Sequence, residues 1–196
     1  MAKAMSKEPI TSASVESIVE AARAAQAKGL PPVETWSPEP SGDMDMVIRR
    51  DGTWVHEGGV IRRRELARLF STILKREGDD YFLVSPVEKW RISVEDAPFV
   101  AVDMQVEGTG EAQSLTFETN MGEQVVAGER HAIRVTVDGK TGEPSPYIHV
   151  RSGLEALIDR KSFYRLVERG VHRQGWFGVW SGAAFFRIAP SEDMAG

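Results

Sequence analysis

Apolar residues recur along the chain in two rhythms, and each predicts an element. In residues 63–77, Leu66, Leu69, Phe70, Ile73 and Leu74 follow i, i+3, i+4, i+7 and i+8. That period puts them on one face of a helix closed by Gly78, with Arg64, Arg68, Lys75 and Arg76 on the other face. The rhythm then shortens to two: Trp90, Ile92 and Val94 alternate with Lys89, Arg91, Ser93 and Glu95, as in a strand with one buried face. Residues 81–84 supply the partner strand, and Ser85-Pro86 the turn. Upstream, Met46-Val47-Ile48 and Trp54-Val55 flank Arg49-Arg50-Asp51-Gly52, and Asp-Gly between apolar runs is a strong hairpin signal. Residues 99–106, 114–119, 124–126 and 131–137 read as an antiparallel meander turning at Gly108-Thr109-Gly110, Asn120-Met121-Gly122 and Asp138-Gly139.

The N-terminal stretch is less regular. Residues 1–10 are polar and are expected to hold no element. Ser14 is placed to cap a helix with Val15, Ile18, Val19 and Ala22 on its apolar face, ending at Gly29 before Pro31-Pro32. The proline-rich residues 30–45 predict an extended arm anchored by Trp36.

Two blocks repeat. YFLVSPVEKWRI (residues 81–92) and FGVWSGAAFFRI (177–188) share an aromatic first position, an apolar third, a serine fifth, an aromatic tenth and a final Arg-Ile. The strand and turn ending at Gly52 reappear ending at Gly153. Phe163, Leu166 and Val167, on a helix that Asp159 can cap, match Leu66, Leu69 and Phe70. Offsets of 101, 97 and 96 for three elements in one order predict a duplicated strand-helix-hairpin unit. The expected fold is α+β in two small packed domains: an N-terminal tail and helix (1–29), an α+β domain (30–97), a β-rich domain with one helix (98–190), and a tail (191–196).

Composition narrows the function classes. Hydrophobic residues make up 41% and charged residues 27%, as in globular domains, and no apolar run is long enough to span a bilayer. A net charge of −5 argues against coating duplex DNA, since proteins that do so neutralise many phosphates with an excess of Lys and Arg. The absence of cysteine excludes disulfides and thiolate metal sites. With no signal-peptide pattern, a cytoplasmic location is expected.

Motifs for chemistry are sparse. There is no GxxxxGK[ST], no full GxGxxG and no GxSxG. His56, His131, His149 and His172 lack metal-ligand spacing, and Asp43-Met44-Asp45 fits capping better than cation binding. Neither metal nor cofactor is therefore expected. Glu95 and Asp96 precede Pro98 at a strand end, where a carboxylate more often bonds its own turn than catalyses; no catalytic residue is assigned. What remains is a pattern of cations and rings. Arg64, Lys89, Arg151 and Arg160 occupy related places in the two copies, and Trp54, Trp90, Tyr147 and Trp180 offer stacking surface. If the halves face each other, these converge on one crevice, with Glu95 or Asp96 accepting from a ligand's ribose or base. Where the two blocks disagree, Glu88 and Lys89 in the first keep polar groups that the hairpin itself does not require.

Residues 30–54, 61–104, 153–170 and 178–186, with residues 83–99 the most specific, resemble the uncharacterised bacterial family catalogued as domain of unknown function twelve eighty-five. The resemblance implies a duplicated α+β architecture with a C-terminal half like a pleckstrin-homology barrel. It also implies a nucleotide-like ligand between the halves and a role in signal transduction; it brings no established catalytic residues. The expectation is thus a non-enzymatic regulatory module that binds a small anionic, nucleotide-based ligand and neither duplex nucleic acid nor membrane. The alternatives are a protein-interaction adaptor whose Trp36 arm a partner displaces, and an enzyme using Glu95 and Asp96.

Overall fold

The computed structural model describes residues 12–26 and 29–194, so the expectation for residues 1–10 lies outside the described residues. The chain divides into two compact units, one formed by residues up to 47 with 53–93, the other by 48–52 with 94 onward.

The first unit opens with helix α1 (Ser12–Gln26). Ile18 and Ala22 are fully buried as its spacing predicts, while Ser14 lies inside the helix and not at its cap. After a single 3-10 turn (Val33–Thr35) come strands β1 (Pro40–Ile48), β2 (Trp54–His56) and β3 (Gly59–Val60). The second part of the expected arm is therefore a sheet strand: alternation buries Met44, Met46 and Ile48 while Asp43 and Asp45 face out. A partner could free that segment only by breaking the sheet.

Helix α2 (Arg64–Thr72) is shorter than its apolar period suggests. Ile73 and Leu74 stay buried, but β4 (Leu74–Glu77) already pairs with β5 (Asp80–Val84), Leu74 facing Leu83 and Glu77 facing Asp80. Gly78, at φ +62°, makes the hairpin turn instead of ending a helix. β6 (Lys89–Val94) completes a six-stranded sheet in the order β3-β2-β1-β6-β5-β4.

The second unit contains β7 (Phe99–Glu107), β8 (Ser114–Thr119), β9 (Gln124–Val126), β10 (Ile133–Val137), β11 (Pro144–Arg151) and β12 (Leu154–Ile158). The expected meander holds from β7 to β9 and then breaks. The order is β10-β11-β12-β7-β8-β9, with β12 parallel to β7 and Ala156 facing Phe99. β12 stands between the turn at Gly153 and the helix, where no strand was expected. It buries Leu154, Ala156 and Ile158 in clean alternation. Helix α3 (Arg160–Val167) is capped by Asp159, whose carboxylate accepts from the Ser162 N–H at 2.8 Å. β13 (Val171–Arg173), β14 (Trp176–Ser181) and β15 (Ala184–Pro190) form a separate three-stranded sheet.

Residues 40–94 and 144–190 repeat one order, long strand, turn, short strand, helix, three-stranded meander, with β3 extra in the first copy. The α+β class, the two domains and the duplication all stand. The aligned serines of the repeated blocks are both fully buried, yet they do different work. Ser85 Oγ accepts from the N–H groups of Val87 and Glu88 within its own turn. Ser181 Oγ ties its hairpin to the neighbouring sheet, donating to the Ala127 carbonyl at 2.8 Å and accepting from the Leu115 N–H at 2.9 Å.

Candidate functional site: an arginine-lined cleft in the second unit

A cleft of about 420 Å³ opens in the second unit beside the first turn of α3. Arg50, Ser145, Pro146, Arg160, Phe163 and Tyr164 line it. Helical spacing explains one wall: Arg160 and Tyr164, four residues apart, lie on one face with the guanidinium 5.9 Å from the ring centre. Arg160 is exposed and has no ion pair among the described residues.

The other wall is held by a polar network. The Arg50 guanidinium stands 3.1 Å from Asp96 and donates to Ser145 Oγ, also at 3.1 Å. Its backbone N–H donates to Glu95 Oε2 at 2.9 Å. Asp96 also accepts from the Tyr147 hydroxyl at 2.7 Å. Burial pushes the Tyr147 phenol above its ordinary range, and the Asp96 carboxylate beside it adds to the shift. One ion pair and one hydrogen bond thus fix the Arg50 guanidinium in place.

The structure brings together three of the residues expected from the sequence. Arg160 lines the cleft, and Glu95 and Asp96 hold Arg50 at its edge. Arg151 is committed elsewhere, 3.1 Å from Glu123 and over the Phe99 ring at 5.4 Å. The rest belong to the first unit. Trp54 is 2% exposed and stacks on Phe70 at 5.9 Å, so it is core and has no face to offer a ligand. Lys89 Nζ bonds Glu77 at 2.9 Å and lies over Phe82, and this bond is the main cause of the lowered Glu77 pKa. A phosphate would have to displace that carboxylate. Glu88 accepts from Ser17 Oγ at 2.9 Å, Trp90 is half-buried in β6, and Arg64 sits exposed in the first turn of α2.

Arg50 and Ser145 were not expected. Arg50 reads as a hairpin-turn residue, but it corresponds in the repeat to Arg151, and in both copies of the repeat this arginine reaches a carboxylate, Asp96 or Glu123. The duplication carried that signal. Among the described residues no group of three metal-binding side chains is assembled, and no helix is long and apolar enough to cross a membrane.

Fold and cleft define a two-domain α+β protein with a repeated strand-helix-meander unit. The family model described as "Domain of unknown function (DUF1285), N-terminal domain" matches residues 31–97, and "Protein of unknown function (DUF1285), C-terminal domain" matches residues 98–188. The chain belongs to the DUF1285 family. It is similar to the crystal structure of a DUF1285 family protein from Silicibacter pomeroyi DSS-3: 54% identity over 91% of this chain and 98% of that one, with a TM-score of 0.86. A second, from Shewanella baltica OS155, is 28% identical over 64% of this chain and 92% of that one, with a TM-score of 0.52. No curated protein matches the chain.

Proposed function

We propose that the protein is a regulatory, non-enzymatic module that binds a small anionic ligand, nucleotide-like in character, in the Arg50–Arg160 cleft. The observation that carries this reading is the cleft's division of labour. One arginine is fixed by Asp96 and Ser145, another is exposed without an ion pair among the described residues, and Phe163 and Tyr164 stand beside them. A phosphate meets Arg50 and Arg160, and a base lies against the rings. The volume of about 420 Å³ falls within the usual range for small-molecule sites, roughly 300–1,000 Å³. Two charge-assisted contacts at about 1.5–3 kcal/mol each, with one stacked ring, support binding in the micromolar range.

A thermal-shift screen against nucleoside mono-, di- and triphosphates and cyclic dinucleotides tests this. At least one nucleotide should raise the melting temperature, and Arg160→Glu should abolish the shift while leaving the unliganded melting temperature near that of the parent. Absence of any shift across the panel sinks the reading.

A further inference from the structure

The outward face of the β13-β14-β15 sheet is unusual for a surface. Strand alternation turns Phe177, Val179 and Phe186 inward, where all three are buried. It turns Trp176, Gly178 and Trp180 outward, with Arg173 on β13 and Phe185 and Arg187 on β15 beside them. A sheet that covers a core with one face ordinarily carries polar side chains on the other. Here that face carries three rings roofed by two arginines. The Arg173 guanidinium lies 4.5 Å from the Trp180 ring centre and 5.8 Å from that of Phe185, and Arg187 lies 4.9 Å from Trp176. Trp180 and Phe185 meet at 5.3 Å, tilted by 59°. Gly178 permits the arrangement, because a Cβ there would fall 2.7 Å from Phe185 Cζ; bare backbone lets that ring lie down across the strand.

Arg173 and Arg187 are exposed, and neither has an ion pair among the described residues. In a chain of net charge −5, an unneutralised pair of cations layered on rings selects a partner that is anionic and has flat π faces. We infer that this face binds single-stranded nucleic acid, with bases stacking on the arginine–aromatic layers and phosphates meeting Arg173 and Arg187. A duplex hides its base faces, so it gives the layers nothing to stack on. An acidic peptide uses the arginines and leaves the rings idle. An anionic membrane needs rings that project beyond the backbone, whereas Trp176, Trp180 and Phe185 are half-buried. Trp176 and Trp180 are four residues apart on β14, roughly 13 Å at a rise of about 3.3 Å each, a span for two or three nucleotides. The inference does not rest on the cleft.

Fluorescence polarisation of labelled single-stranded oligothymidylate and oligouridylate with the full chain, at low ionic strength, tests it. Saturable binding that quenches tryptophan emission and weakens with salt is expected. Trp180→Ala should weaken it on the order of tenfold. Because Trp180 is half-buried, the exposed Arg173→Glu and Arg187→Glu variants give the decisive arm: each should lose binding with an unchanged melting temperature. The inference is overturned by no binding, by equal binding of the matching duplex, by stronger binding of polyglutamate or phosphatidylserine vesicles, or by charge-reversal variants that bind like the parent.

Discussion

Replacing Ser181 with alanine should cost far more stability than the same change at Ser85, although the two serines hold the same place in the repeated blocks. Ser181 is fully buried, and its hydroxyl is the shared partner of two groups far off in sequence, the Leu115 N–H at 2.9 Å on β8 and the Ala127 carbonyl at 2.8 Å just after β9. Leu115 and Ala127 are themselves fully buried, so water cannot take over either bond. Leaving a buried donor or acceptor unsatisfied costs about 1–3 kcal/mol, so Ser181→Ala should destabilise the second unit by about 3 kcal/mol. Ser85 accepts two bonds, at 3.3 and 3.0 Å, from a turn whose Pro86 and Val87 are exposed. Solvent reaches those N–H groups once the hydroxyl is gone, and the expected cost is about 1 kcal/mol. Urea titrations of both variants, followed by tryptophan emission, measure the difference directly. Equal losses, or a larger loss at Ser85, would refute the reasoning that the second copy uses its serine as a strut between sheets.

Three further outcomes follow from the same geometry. Gly178→Ala should destabilise more than an ordinary small-to-large change, typically about 1–3 kcal/mol, since the new Cβ would sit 2.3 Å from the Phe186 carbonyl oxygen, which is backbone; a melting curve near that of the parent contradicts the close approach. The folded state holds Tyr147 protonated above its ordinary pKa, so it binds more protons than the unfolded chain in alkali, and stability should fall as pH rises past about 10. Tyr147→Phe should flatten that alkaline limb in denaturation curves, and an unaltered limb would count against the burial of the phenol. Asp103 is held below its ordinary pKa chiefly by the Arg165 side chain at 2.7 Å. The stability this contributes is present above about pH 4 and lost as pH falls through the lowered value, so Arg165→Ala should shrink the acid-side loss, and a steeper one in the variant would contradict it.

Local signals carried well and non-local pairing did not. The Asp159 cap, the 81–92 hairpin and the duplication follow from short-range chemistry: an N-cap carboxylate, period-two alternation and turn residues. The helix over 63–77 overran because Ile73 and Leu74 keep a helical spacing while serving a strand. What ends α2 is the pairing of Leu74 with Leu83, which no local period reveals. The Leu154–Ile158 strand had a readable alternation, but its parallel partner Phe99 lies more than fifty residues away, where only the folded chain brings it. Of the candidate site, Arg160, Glu95 and Asp96 were legible as polar groups at element ends. Trp54 is core and not a stacking platform, because a tryptophan's burial depends on what packs over it, here Phe70, which its local pattern does not reveal. Arg50 was hidden by its turn, although its repeat partner Arg151 marked the position.

The central claim, that Arg50 and Arg160 form an anion-binding cleft, is tested most directly by calorimetric titration of the nucleotide giving the largest thermal shift into the parent chain and into Arg160→Glu. Saturable single-site binding, weakened at least tenfold in Arg160→Glu and unchanged in Arg187→Glu, is the predicted result, tenfold corresponding to about 1.4 kcal/mol. Binding that Arg160→Glu leaves intact, or no heat with any nucleotide in the panel, would contradict it.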